Sequence, residues 1–176
     1  MNKLIHLGNP LINTPYLTTS ILGKIYNLDI KYKNVAKVEL NKLDNKVELI
    51  LPKDYKNLDN TNIINSAIQK MYDKLAISIL DNAMETVRYI LKFAPEDFKI
   101  ERLKNIWYKC SANKIITINP DIIKYNEETI ITTLIQAFCK SQFKSNSNKY
   151  KETLKQGLEN YEVFKNKQNL KLRNIG

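Results

Sequence analysis

Histidine is almost missing from this chain: His6 is the only one in 176 residues. One imidazole cannot build a three-histidine zinc site, so that catalytic arrangement is excluded from the chain's own side chains. There are four glycines and no Gly-rich phosphate loop, which excludes nucleotide hydrolysis of the P-loop kind. Two cysteines, Cys110 and Cys139, lack the spacing of a metal clip or a redox pair, so buried, reduced thiols are expected. Arginine is confined to Arg88, Arg102 and Arg173, leaving few candidates for bidentate recognition of phosphate or guanine. No apolar run is long enough to span a bilayer. The start, MNKLIHLGNP, lacks the apolar block and small-residue cleavage site of a signal peptide. A cytoplasmic protein without membrane attachment is expected.

What remains is an ordinary globular composition, 43% hydrophobic and 26% charged, at a length suited to one domain with a substantial core. The charge is lopsided, with a net +10 and a pI near 9.4. From Lys140 onward nine Lys/Arg face three Glu, a net +6. A basic surface attracts nucleic acid or anionic membranes. Its candidate contacts are Lys144, Lys149, Lys151, Lys155, Lys165, Lys167, Lys171 and Arg173. A compositional bias toward Lys, Asn, Ile and Tyr accounts for the same excess without any such partner.

In chain order, residues 1–26 carry Pro10, Pro15 and Gly23 and read as an N-terminal extension packed on the domain. Residues 27–52 read as β structure: an alternating run over 35–40, a polar turn at 41–45, and a second run from Val47 to Leu51 ending at Pro52. Residues 60–93 hold the strongest helical pattern, with Ile64, Ala67, Ile68, Met71, Leu75, Ile79, Ala83, Val87, Ile90 and Leu91 at three- and four-residue spacing. Asp59 or Thr61 is positioned to cap it. Its length predicts a kink or break near Ser78–Asn82. Met71, Tyr72, Met84 and Tyr89 are expected at the core or its edge. Three short strands are expected at 98–103, 105–110 and 114–118. Asn126 caps the next helix, with Glu127 and Glu128 in its first turn. Ile131, Leu134, Ile135 and Phe138 form its buried stripe. Asn146 or Ser147 caps a last helix carrying Tyr150, Leu154, Leu158 and Tyr161.

The organising stretch is IWYKCSANKIITINPDIIKYNEETIITTLIQAFCKSQFKSNSNKY, residues 106–150. Trp107 and Cys110-Ser111 precede Ile118-Asn119. A helix follows, bearing Gln136-Ala137-Phe138-Cys139-Lys140, and then Asn146-Ser147-Asn148-Lys149-Tyr150. This order resembles the YgjP-like metallopeptidase family, a zincin-type group related to the SprT proteins. Members carry a Trp-Gly-Ser-Cys-Ser strand and a Leu-Asn pair before a helix with His-Glu-x-x-His. A third His follows six residues later, then Ser-x-Lys/Arg-Phe. The resemblance covers roughly residues 27–176. It implies an α+β, zincin-like single domain: an N-terminal antiparallel hairpin, a long helical segment, a small sheet and a C-terminal helix pair. It also implies that Trp107 anchors the sheet against the active-site helix, and that Trp107, Cys110, Ser111, Gln136, Lys140 and Asn146 border the cleft. Tyr108 and Lys109 replace the family's Gly and first Ser, adding bulk beside that cleft.

Where the resemblance would place catalytic groups, the chemistry is gone. In His-Glu-x-x-His two imidazoles one turn apart hold a zinc whose bound water is deprotonated by the Glu. Gln136 replaces the first His, Ala137 the Glu, Lys140 the second His and Asn146 the third. Gln136 and Asn146 offer weak amide oxygens, Ala137 accepts no proton, and Lys140 puts an ammonium where a divalent cation would sit. No cofactor is expected. Lys140 is either a solvated helix-surface side chain or a cation filling the metal's place. Cys110 or Ser111 beside Lys140 is a conceivable nucleophile pair. The leading expectation is a catalytically inactive homologue, acting as a binding or regulatory module with a protein or peptide partner in the former cleft. The alternatives are a metal-dependent hydrolase with non-canonical ligands and a nucleic-acid-associated protein using the basic C-terminal face.

Overall fold

The computed structural model describes residues 17–173. His6, Pro10 and Pro15 lie outside them, as does most of the expected N-terminal extension. Seven strands and three long helices form an α+β fold with two separate sheets. The first sheet contains β1 (Thr18–Ile21), β2 (Lys24–Lys33), β3 (Glu39–Lys42) and β4 (Lys46–Pro52), in spatial order β1-β2-β4-β3. The β3–β4 hairpin is the one expected, but residues 35–38 lie outside β3. A second hairpin, β1–β2, turns at Leu22 and Gly23. Both have positive φ, 51° and 77°, as a two-residue turn matched to strand twist requires. The 26/27 boundary therefore falls inside β2, whose early residues pair with β1. β2 also pairs in parallel with β4, a long-range pairing that alternation alone does not reveal.

Helix α1 runs without interruption from Thr61 to Leu91, about 46 Å at the usual rise. The expected break near Ser78–Asn82 does not occur. Burial sustains the helix across that point, with Ala76, Leu80, Ala83, Met84 and Val87 all in the core. Asp59 Oδ1 accepts the Thr61 N–H at 3.0 Å, and Lys92 ends the helix in the left-handed conformation. Tyr89, expected at the core or its edge, is exposed; its ring meets that of Phe164 at a tilt of 53°, with centroids 5.9 Å apart.

The second sheet is β5 (Asp97–Ile100), β6 (Tyr108–Cys110) and β7 (Ile115–Ile118), ordered β5-β7-β6. Pro120 ends β7 and opens a 3-10 turn, Pro120–Lys124. Helix α2 (Glu127–Gln142) follows, capped by Asn126 Oδ1 accepting the Thr129 N–H at 2.9 Å. Helix α3 (Asn148–Arg173) closes the chain. It packs tightly on its neighbours at Gly157, where a Cβ would lie 2.6 Å from Leu91 Cδ2 and 3.1 Å from Ile135 Cγ2. The main core joins α1, α2, β7 and the 3-10 turn, with Phe138 fully buried at its centre. Arg102 ties these layers together. Its guanidinium donates to Asp121 at 2.7 Å, to Asp73 at 2.8 Å and to the Gln69 carbonyl at 2.9 Å. Among the described residues no helix is long and apolar enough to cross a membrane.

Candidate functional site at the junction of β6 and α2

Helix α2 is unusual in how little of it is exposed. Eight of its residues are buried: Ile130, Ile131, Leu134, Ile135, Ala137, Phe138, Cys139 and Ser141. Past its first turn the exposed positions are Gln136 and Lys140, four residues apart and so one turn above each other. Past the first turn this stripe is the exposed part of α2, at the place where the family resemblance puts a cleft.

Strand β6 forms the cleft's other wall. Asn119 N–H donates to the Trp107 carbonyl, and Ser111 N–H to the Ile115 carbonyl. Those ladder bonds fix the alternation, so the backbone groups of Tyr108 and Cys110 point to the open edge of the sheet. The side chains of Tyr108 and Cys110 share the face turned toward α2. Cys110 Sγ lies 3.5 Å from the Ala137 carbonyl. Lys140 Nζ stands 5.6 Å from the centre of the Tyr108 ring, a cation–π approach.

Not every expected cleft residue is there. Trp107 is on the opposite face of β6; it is partly exposed and meets Tyr125 edgewise at 5.1 Å, so it does not anchor the sheet against α2. Ser111 also faces away. Its Oγ accepts the Ile115 N–H at 3.2 Å and braces the turn into β7. Asn146 is exposed in the loop between α2 and α3. Ala137 is fully buried beneath β6. Tyr108, described from the sequence only as bulk, is the side chain that touches Lys140. The signal was its two-residue spacing from Cys110 on a short strand. The trailer after α2 has a structural part: Ser147 Oγ donates to the Lys144 carbonyl and accepts the Tyr150 N–H, while Lys149 Nζ lies over the Phe143 ring.

Burial dominates the electrostatics. It pushes the Tyr108 hydroxyl up to about 12, with Tyr150 and the two thiols adding to the effect. It pushes the Cys139 thiol up to about 11. Cys110 is also raised by burial, with the Lys140 charge pulling the other way. Both thiols are free, and both are held in the protonated, weakly nucleophilic form at neutral pH. A Cys110–Lys140 nucleophile gains no support.

A family model for the YgjP-like metallopeptidase domain matches residues 12–171. The chain belongs to the YgjP-like family. No curated protein and no solved structure matches it. Membership raises the question of the zinc that such a domain implies. The side chains at the four positions that the resemblance assigns to the site do not suit it: the amides of Gln136 and Asn146, the ammonium of Lys140 and the methyl group of Ala137. Among the described residues no three His, Cys, Asp or Glu side chains gather to hold a metal ion. The basic C-terminal residues are partly committed elsewhere. Lys165 bonds Glu128 across helices at 2.7 Å, and Lys155 lies 3.9 Å from Glu159. Lys144, Lys151 and Lys167 are exposed. Lys171 and Arg173 fall within α3, but their side chains lie outside the described set.

Proposed function

We propose that this YgjP-like chain is a metallopeptidase frame kept as a binding or regulatory module, without hydrolytic chemistry of its own. The observation that carries the reading is Lys140. Its ammonium lies on the exposed stripe of α2 and over the Tyr108 ring, and in this reading it takes the place of the family's second ligand. A fixed cation there repels a divalent ion and attracts a carboxylate. The open edge of β6 lies beside it, with the Tyr108 and Cys110 backbone groups free to pair with an extended chain. The partner is a protein or peptide segment that adds to β6 and sets a carboxylate against Lys140.

Two measurements test this together. Metal analysis and a peptide-hydrolysis assay with added zinc should find neither stoichiometric metal nor turnover. Panning a random peptide library against the native chain and against Lys140→Glu should enrich carboxylate-bearing peptides on the native chain alone. Stoichiometric zinc with turnover overturns the reading. The ligand frame has its own test. Replacing Gln136, Lys140 and Asn146 together by His should confer zinc binding, and failure in a well-folded variant counts against the placement of the three positions.

A further inference from the structure

The first sheet has two edges, and they are treated differently. The β1 edge is covered. Leu22 N–H donates to the Ile123 carbonyl at 2.7 Å, Gly23 N–H to Lys124 at 3.2 Å, and Ser20 Oγ to Lys124 at 2.7 Å. The β3 edge has no such cover among the described residues. Its pairing with β4 closes at the hairpin end, where Leu43 N–H donates to the Lys46 carbonyl. Counting back through the register, the inward groups belong to Asn41 and Glu39. Leu40 and Lys42 therefore present their N–H and C=O groups outward.

Beside that edge, against the N-terminal half of α1, runs a groove of about 780 Å³. Its apolar part is Val38, Leu40, Ile63 and Ala67, half-exposed on the smaller core cluster, together with Met71 and Leu75 from the main core. The remaining charged groups are Lys42, Lys70, Lys74 and Asp73. The one carboxylate, Asp73, is already bonded to Arg102. Lys42 leans over the Tyr26 ring at 5.2 Å. No ion pair involves Lys70 or Lys74 among the described residues, and they sit one turn apart on α1. The groove therefore combines free strand hydrogen-bonding groups, an apolar floor and a surplus of positive charge.

We propose that this site takes an extended acidic segment of a protein partner, added to β3 as a fifth strand. Its groove-facing residues are apolar against Leu40 and Ile63 and carboxylate-bearing beside Lys42, Lys70 and Lys74. Backbone pairing supplies affinity and the alternate side chains supply selectivity. This surface is separate from the β6 cleft and does not depend on what occupies it.

The probe is a fluorescein-labelled octapeptide, Ser-Val-Thr-Val-Thr-Glu-Ser-Glu, whose every second residue faces one side. Anisotropy at low salt should show saturable binding to the full chain, and the same peptide with Lys in place of Glu should not bind. The double variant Lys70→Glu/Lys74→Glu, altered on an exposed helix face, should weaken binding roughly tenfold or more. Amide hydrogen exchange should slow at Leu40 and Lys42 when peptide is present. Absence of binding, indifference to the charge reversal, or protection at Tyr108 and Cys110 instead would overturn the proposal.

Discussion

Two sheet edges in this molecule face a helix, and they differ in what lies beneath them. The β6 edge stands over α2, where burial is nearly complete and the open stripe holds only Gln136 and Lys140. The β3 edge stands beside α1, over half-exposed Val38, Leu40, Ile63 and Ala67. Neither Gln136 nor Lys140 lines that groove or the smaller cavity between α1 and α3. The first edge lies beside the helix that, in the proposed reading, no longer holds a metal. The second also has an apolar floor. The two proposed sites thus differ in kind: a cation beside a strand edge at β6, and an apolar floor with positive charge at β3.

The comparison breaks first where burial is deepest. Phe138→Ala, under the β6 cleft, should cost about 3–5 kcal/mol in denaturant unfolding, against about 1 kcal/mol for Leu40→Ala in the groove. Equal losses would mean that the two regions are not packed as differently as their exposure indicates. Next, Ala137→Glu places a carboxylate in a fully buried position and should lose about 3 kcal/mol at neutral pH. The buried acid's folded pKa would be raised above its unfolded value. Stability should therefore recover in acid and fall as pH rises through the ordinary carboxylate range. A pH-independent loss would point to overpacking alone.

Arg102→Ala sharpens the same contrast from outside the cleft, since it unties α1 from the 3-10 turn that leads into α2. About 1–2 kcal/mol should be lost. Burial raises the Asp121 carboxyl, but the hydrogen bonds and charges of Lys124 and Arg102 outweigh it and hold the group below its ordinary value. Asp121 therefore adds stability that is complete above the unfolded aspartate pKa and lost as pH falls through the folded one. Unfolding of Arg102→Ala followed across acid pH should show a shallower fall than the native chain. The smallest effect is expected at Lys165→Ala, an exposed pair with Glu128. Its unfolding midpoint should be indistinguishable from the native one.

Much of this was legible from residue order. Asn126 before two glutamates gave the start of α2, and the positions four apart put Gln136 and Lys140 on one stripe. Gly23 marked a turn, and the polar run at 41–45 marked the β3–β4 hairpin. The continuity of α1 is not legible in the same way, because a helix of this length is sustained by core contact along its whole run. Nor is the face of Trp107, because a strand's two faces are assigned only when its ladder partner is known.

The sequence by itself determined the frame. Helical periodicity, capping residues and the ordered set from Trp107 to Tyr150 are local properties, and so are the identities of Gln136, Ala137, Lys140 and Asn146. Only the tertiary structure decided which edges are covered and which are open. Strand register, the parallel β2–β4 pairing and the approach of Tyr108 to Lys140 join residues far apart in the chain. Such contacts are set by the packing of whole elements, and no local pattern encodes them.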